Sequence, residues 1–372
     1  MITIKYLFVL LISVFINSLL AQNDENGEDA YLELSWKQVA TKMPTEWYNS
    51  DEARLVAENV LLSQKEIGGW AKNKPYHHLF SEEEKSQFLT TKSEVGATFD
   101  NGSTIMELQF LANVYSNYKD EKYKLAFIKG LDYIFESQYE NGGWPQFYPS
   151  RKGKSVAYAS HITYNDDAMV NILKFLRDIV YEKENYPLLQ LDSTYKAKAN
   201  QALENGVTCI IKTQIIVDGK PTVWCAQHDE VTLAPANARK YELASFSGTE
   251  SASIALFLMT LKNPSQEIIN SVDCAVKWFE NHEVEDVKLI KEKDEEGRTD
   301  IVVVQDKTAS PIWARFYDLE TEKSFFCDRD GIKKNSLADI GYERRNGYDW
   351  YTTKPANLLE EYSEWKVKIS SK

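Results

Sequence analysis

The chain of 372 residues carries 56 acidic side chains against 43 Lys and Arg, a net charge of −13, which excludes nucleic-acid binding through a general basic field. An acidic polymer could be held on such a protein only where arginines cluster or a cation binds. Four cysteines, Cys209, Cys225, Cys274 and Cys327, lack CxxC spacing and so exclude a zinc ribbon. Three pairings are open to them, but Cys209 and Cys274 lie in apolar helical stretches, and no obligatory disulfide is expected.

Lys5 precedes an apolar run from Tyr6 to Leu20 that ends at Ala21, which reads as a secretory signal over residues 1–21. No cysteine follows to take a lipid, and no later apolar run reaches the roughly 18 residues of a membrane span. The mature protein is therefore expected outside the cytoplasm, secreted or periplasmic. Residues 22–29 are polar and acidic and read as a short disordered lead. Residues 30–372 then form a single domain, long for a compact core but suited to a repetitive helical one.

Helical spacing begins near Glu33 and continues through Ala53, Val56, Val60 and Leu61, behind the capping candidates Ser50 and Asp51. This helix ends in Gln64-Lys65-Glu66-Ile67-Gly68-Gly69-Trp70. The ending recurs as Gln138 to Trp144, and more weakly from Gln214 to Trp224, a period of about 75 residues that signals a helical repeat. The helix around Ala275 supplies a possible fourth copy. A second helix follows each ending, over Thr104 to Tyr118, Ala168 to Tyr181 and Glu250 to Leu261. Each starts on small polar residues, and if the repeats close into a ring these starts meet on one face, where free N–H groups favour anions.

The start Asn165-Asp166-Asp167 admits two readings. Paired carboxylates suit a metal or an acid–base site, while Asp166 or Asp167 could equally cap the helix. His77 and His78 read as a solvated pair, His161 as a residue that orients the Asp166 loop, and the GGW tryptophans as packing between repeats. After Glu283, Asp300 to Gln305 reads as a strand, Pro311 to Gly331 as short strands with a turn, and Pro355 to Trp365 as a last helix.

Eight segments in order, GGWAKN (68–73), TFDNGST (98–104), NGGWPQFYP (141–149), ITYNDDAM (162–169), ARKYELAS (238–245), PIWARFYDLET (311–321), FFCDRDG (325–331) and GYDWY (347–351), resemble polysaccharide lyase family 10, the pectate lyases. The resemblance implies a mainly α fold, an (α/α) toroid of repeated helix pairs with a smaller β-containing C-terminal part. It implies a monomeric, calcium-dependent enzyme that cleaves α-1,4-polygalacturonate by β-elimination and leaves 4,5-unsaturated oligogalacturonates. In that chemistry the C5 proton lies next to the C6 carboxylate, so its removal places a second negative charge there that a cation and arginines offset. The family match makes Asp100 and Asp166 the calcium ligands, with Asp167 assisting or only capping, and Arg239 the base, although Arg normally stays protonated. Lys240 is the adjacent alternative. Arg315 and Arg329 resemble carboxylate clamps, and Asn101, Asn165, Lys72 and Tyr348 face substrate in the same reading. Two other readings compete: a glycoside hydrolase on a helical toroid with Asp100 and Asp166 as acid and base, and a non-catalytic pectin-binding relative. A squalene-type cyclase also has GGW repeats, but the chain has no DxDD run.

Overall fold

The computed structural model describes residues 27–371, so the signal segment and residues 22–26 lie outside the described residues, and Gly27–Glu33 forms a 3-10 turn where the end of the lead was expected. Among the described residues eleven α-helices follow in chain order. The first six are α1 (Trp36–Lys42), α2 (Asp51–Ser63), α3 (Glu82–Thr90), α4 (Ile105–Tyr118), α5 (Glu121–Glu136) and α6 (Ala168–Val180). The rest are α7 (Ser193–Thr213), α8 (Gly248–Met259), α9 (Gln266–Glu280), α10 (Tyr342–Asn346) and α11 (Lys354–Ser370). The helices α4, α6 and α8 pack side by side as an inner layer, and α2, α5, α7 and α9 stand outside them, the arrangement of an (α/α) toroid.

The repeat has a chemical signature that holds the two layers in register. Gln64, Gln138 and Gln214 each donate twice: first to a carbonyl of their own loop (Gly68, Gly142, Thr222), then to one in the next outer helix (Ala126, Ala202, Ser271). Each loop ends in a buried tryptophan whose indole N–H donates back to the preceding helix: Trp70 to Val60, Trp144 to Ile134 and Trp224 to Ile210. Trp313 makes the same bond to Phe279, so it is the tryptophan of the fourth repeat. The hairpin Val287–Lys293 with Thr299–Gln305 is inserted ahead of it, which hid the match in the sequence. Gly142 shows why the loop needs glycine: its φ is 92°, and a Cβ there would lie 2.1 Å from the carbonyl oxygen of Asn205.

The outer helices begin on side-chain caps, with Ser50, Asp120, Asp192 and Ser265 accepting from their first turns. Two inner helices begin otherwise. Before α4 and α6 the chain makes 3-10 turns, Asp100–Gly102 and Asn165–Asp167, in which Asn101, Asp166 and Asp167 have φ of 54°, 53° and 60°. Neither helix has a side-chain cap hydrogen bond. Asp167 stands at the cap position of α6 but points its Oδ2 at Lys354 instead, at 2.9 Å, so it does not close the helix as expected. By backbone shape Asp100 matches Asn165, and Asn101 matches Asp166; the two repeats thus offer their acidic residues from adjacent positions.

One core cluster extends from Tyr31 to Trp365, and a second, under the C-terminal strands, gathers Tyr241, Phe316, Phe325 and Trp350. Cys209, Cys225 and Cys327 are buried, Cys274 is half-buried, and all four are free thiols. The histidine pair is not solvated as expected. His77 is buried, stacked 6.1 Å from the Trp36 ring, because α1 folds over it, and only His78 is exposed.

The same N-terminal helix is pinned by a buried acid. Glu107 of α4 accepts from the Trp36 indole at 2.6 Å, and its other oxygen has no partner. Burial pushes its carboxyl up to about 7, against which the Trp36 bond acts more weakly. A carboxyl raised in the folded state stabilises the protein most at or below its unfolded value, and that stability is lost as pH rises from about 4.5 to about 7. Glu107→Gln keeps the Trp36 acceptor and removes the titration. Urea unfolding of this variant should show a flatter pH dependence over that window and a gain of a few kcal/mol at pH 8 over the parent.

Candidate active site

The turns Asp100–Gly102 and Asn165–Asp167 pack against one another and place their side chains in one cleft. Its walls include Lys72, Asp100, Asn101, Asn165, Asp166 and Arg239, six of the residues singled out in the sequence. It is also walled by Arg151, Tyr158 and Glu242, which the sequence reading did not select. Arg151 stacks on Phe147, its guanidinium carbon 3.8 Å from the ring centre.

Asp100 is buried, and one of its oxygens takes the Lys72 ammonium. The Asp166 Oδ2 accepts from the Asn165 amide at 2.7 Å, while Oδ1 lies 3.7 Å from the Arg315 guanidinium. Burial raises the Asp166 carboxyl above the ordinary range; Arg315 opposes this, and the negative charges of Glu250, Asp100 and Glu242 add to it. Asp100 Oδ1, and Asp166 Oδ1 with only its 3.7 Å contact to Arg315, form with the crowding of carboxylates a hard-oxygen donor set that fits calcium. The Lys72 contact to Asp100 would give way to such an ion.

Arg239 is half-exposed in the cleft. Its Nε and Nη2 donate to Glu242 at 2.7 and 2.5 Å, leaving Nη1 without a partner. Burial pulls this guanidinium down, but the hydrogen bonds and charge of Glu242 outweigh that and hold it above its ordinary value. Glu242 also accepts from the Tyr348 hydroxyl at 2.8 Å, so Tyr348 sits behind the site rather than on it. Its ring lies 4.5 Å below the Arg315 guanidinium. Arg315 is buried and donates through Nη2 to Asn165 at 3.1 Å and Glu250 at 2.9 Å.

Besides Arg315 and Tyr348, two more expected residues stand away from these walls. Arg329 is exposed and forms a fork to Glu343 at 2.9 Å, and Lys240 is exposed beside it in sequence space to Arg239 but does not line the cleft. Arg344, unselected in the sequence, is buried between the rings of Tyr241 and Tyr348, and Tyr241 also carries Arg239 at 4.9 Å and Arg329 at 5.8 Å. His161 pairs with Glu230 at 3.0 Å. Together with Asp229 it forms the one His and carboxylate cluster of metal-binding dimensions among the described residues, but Asp229 is already engaged by Val231 and Thr232.

Residues 64–359 match the family model described as pectic acid lyase. No curated protein matches the sequence. Among solved structures, a family 10 polysaccharide lyase from Cellvibrio cellulosa is 31% identical, with a TM-score of 0.74, over 89% of this chain and 95% of its own. A mutant of a family 10 lyase from the same organism, in complex with trigalacturonic acid, matches with the same identity and TM-score over 88% of this chain and 95% of that one. The repeat, the cleft and these matches agree: the chain belongs to the pectic acid lyases of polysaccharide lyase family 10.

Proposed function

We propose that this lyase cleaves α-1,4-polygalacturonate by calcium-assisted β-elimination with Arg239 as the base. The observation that carries the reading is the meeting of Asp100, Asp166 and Arg239 on one cleft, although they lie in three different repeats of the chain. Asp100 and Asp166 would hold the calcium ion, which supplies positive charge against the carboxylate that becomes electron-rich as the C5 proton leaves. Arg239 Nη1 takes the C5 proton. The C–H electron pair becomes the C4–C5 double bond, the glycosidic oxygen leaves C4 with its bonding pair, and water protonates it. Arg315 and Lys72 supply positive charge to the flanking uronate carboxylates. Export of the mature chain belongs to the same reading and rests on the Lys5–Ala21 pattern.

Arg239 must be neutral to accept a proton, and Glu242 opposes that. Abstraction therefore requires the Arg239–Glu242 pair to loosen, and the Tyr348 hydroxyl remains to hold the Glu242 carboxylate when it does. Glu242→Gln removes the charge that keeps Arg239 protonated. Its kcat–pH profile on polygalacturonate should rise at a pH lower by about one unit or more than the parent's. An unmoved profile would separate Arg239 from the proton transfer. The lyase reaction itself is tested by the ultraviolet absorbance of the conjugated product, because a hydrolase would release reducing ends without it.

A further inference from the structure

Two positively charged side chains stand beside the two carboxylates proposed to hold calcium, and the fold treats them differently. The Lys72 ammonium rests directly on Asp100. The Arg315 guanidinium is drawn away from Asp166. Its Nη2 donates to Glu250 Oε1 at 2.9 Å and to Asn165 Oδ1 at 3.1 Å, but lies 3.7 Å from Asp166 Oδ1, beyond hydrogen-bond distance. Glu250, in the first turn of α8, is 1% exposed, and its other oxygen takes the Ser247 hydroxyl. The Tyr348 ring, 4.5 Å from the guanidinium carbon, packs against the pair.

A buried guanidinium needs a counter-charge and takes a carboxylate within reach. Burial works against the Arg315 charge, and Glu250 is the strongest of the charges that hold it, ahead of Tyr348 and Asp166. Glu250 and Asp166 are the two acids with an oxygen within 4.0 Å of the Arg315 guanidinium. Without the first, a small shift of the side chain would bring Nη2 onto Asp166 Oδ1, and a metal ion could bind there only by displacing it.

We infer that Glu250 is a positioning residue for the cation site: by holding Arg315 it keeps the guanidinium off Asp166 Oδ1 and leaves that oxygen open to calcium. The inference rests on the proposed calcium site and deepens it. Being buried, Glu250 acts through Arg315 and not as a ligand.

The test is calorimetric titration of the full chain with calcium chloride. Glu250→Gln keeps the size of the side chain but frees Arg315 to pair with Asp166, and should bind calcium about tenfold more weakly than the parent. Glu250→Asp keeps the charge but withdraws it by one methylene, and should fall between the two. Glu250→Gln combined with Arg315→Met removes the competitor together with its holder and should recover most of the parent's affinity, which a merely structural role for Glu250 would not allow. Parent affinity in Glu250→Asp, or a double variant that stays tenfold weak, overturns the inference whether or not Glu250→Gln folds. Either result leaves the cation reading standing. A parent that binds no calcium overturns both, and the lyase reading fails separately if the parent with calcium yields no unsaturated product.

Discussion

Arg239→Ala should leave a folded protein whose kcat on polygalacturonate is about 10³-fold below the parent's, the range expected for losing a positioned proton acceptor. The side chain is half-exposed, so its own removal leaves no core cavity. Its partner Glu242 is buried, however, and would lose two of its hydrogen bonds and its counter-charge, keeping the Tyr348 hydroxyl and the backbone N–H of residue 239. Stability should therefore be read beside activity, since an uncompensated buried carboxylate can cost several kcal/mol. Arg239→Lys separates the two effects: an ammonium keeps a charge near Glu242 but loses the fork that aims Nη1 into the cleft. If Lys restores stability without restoring kcat, the loss belongs to the chemistry. Retention of most of the activity by Arg239→Ala would remove it from the role of base.

Trp144→Ala should be the most damaging change to the fold. The indole is fully buried, packs against Gly206 where a Cβ would come within 2.8 Å of it, and donates to the Ile134 carbonyl at 2.8 Å. Removing a large buried aromatic costs about 4 kcal/mol, with the freed carbonyl adding to that. Urea unfolding should show the lowered midpoint. The loop it ends leads directly into the cleft wall at Gln146 and Phe147, so activity near the new midpoint should fall with it. Little change in midpoint would mean that the GGW loops do not bind the repeats together.

The repeat was legible because its parts are local. Gln and GGW are close in sequence, their spacing recurs, and helical periodicity marks what stands on either side. The fourth repeat was only half visible, since the hairpin inserted before Trp313 lengthens the step that elsewhere joins helix to tryptophan. That Asp100 and Asp166 stand one position apart in their repeats also needed the backbone: both turns contain a left-handed residue, and matching those residues pairs Asp166 with Asn101. Sequence could show that Asp and Asn occur at both places but not which oxygen faces the cleft.

The supporting residues were hidden for a different reason. Arg315 meets Asn165 across 150 positions and Tyr348 meets Glu242 across 106, so neither pair leaves a local pattern. Glu242, read as part of a motif around Arg239, holds that guanidinium above its ordinary value through its hydrogen bonds and charge. Arg329 and Tyr348 had been placed against substrate on motif alone. In the folded chain Arg329 is paired with Glu343 and Tyr348 stands under Arg315, a positioning place and not a contact surface.

The most direct measurement of the central claim is the ultraviolet absorbance of unsaturated product from polygalacturonate, followed while chelator and then excess calcium are added. In the parent, chelator should abolish nearly all of the rate and excess calcium should restore it. In Asp166→Asn, which keeps the shape of the turn but loses one charged ligand, recovery should need a higher calcium concentration. A rate that is unchanged by chelation, with product still accumulating, would contradict the assignment of Asp100 and Asp166 as the cation site.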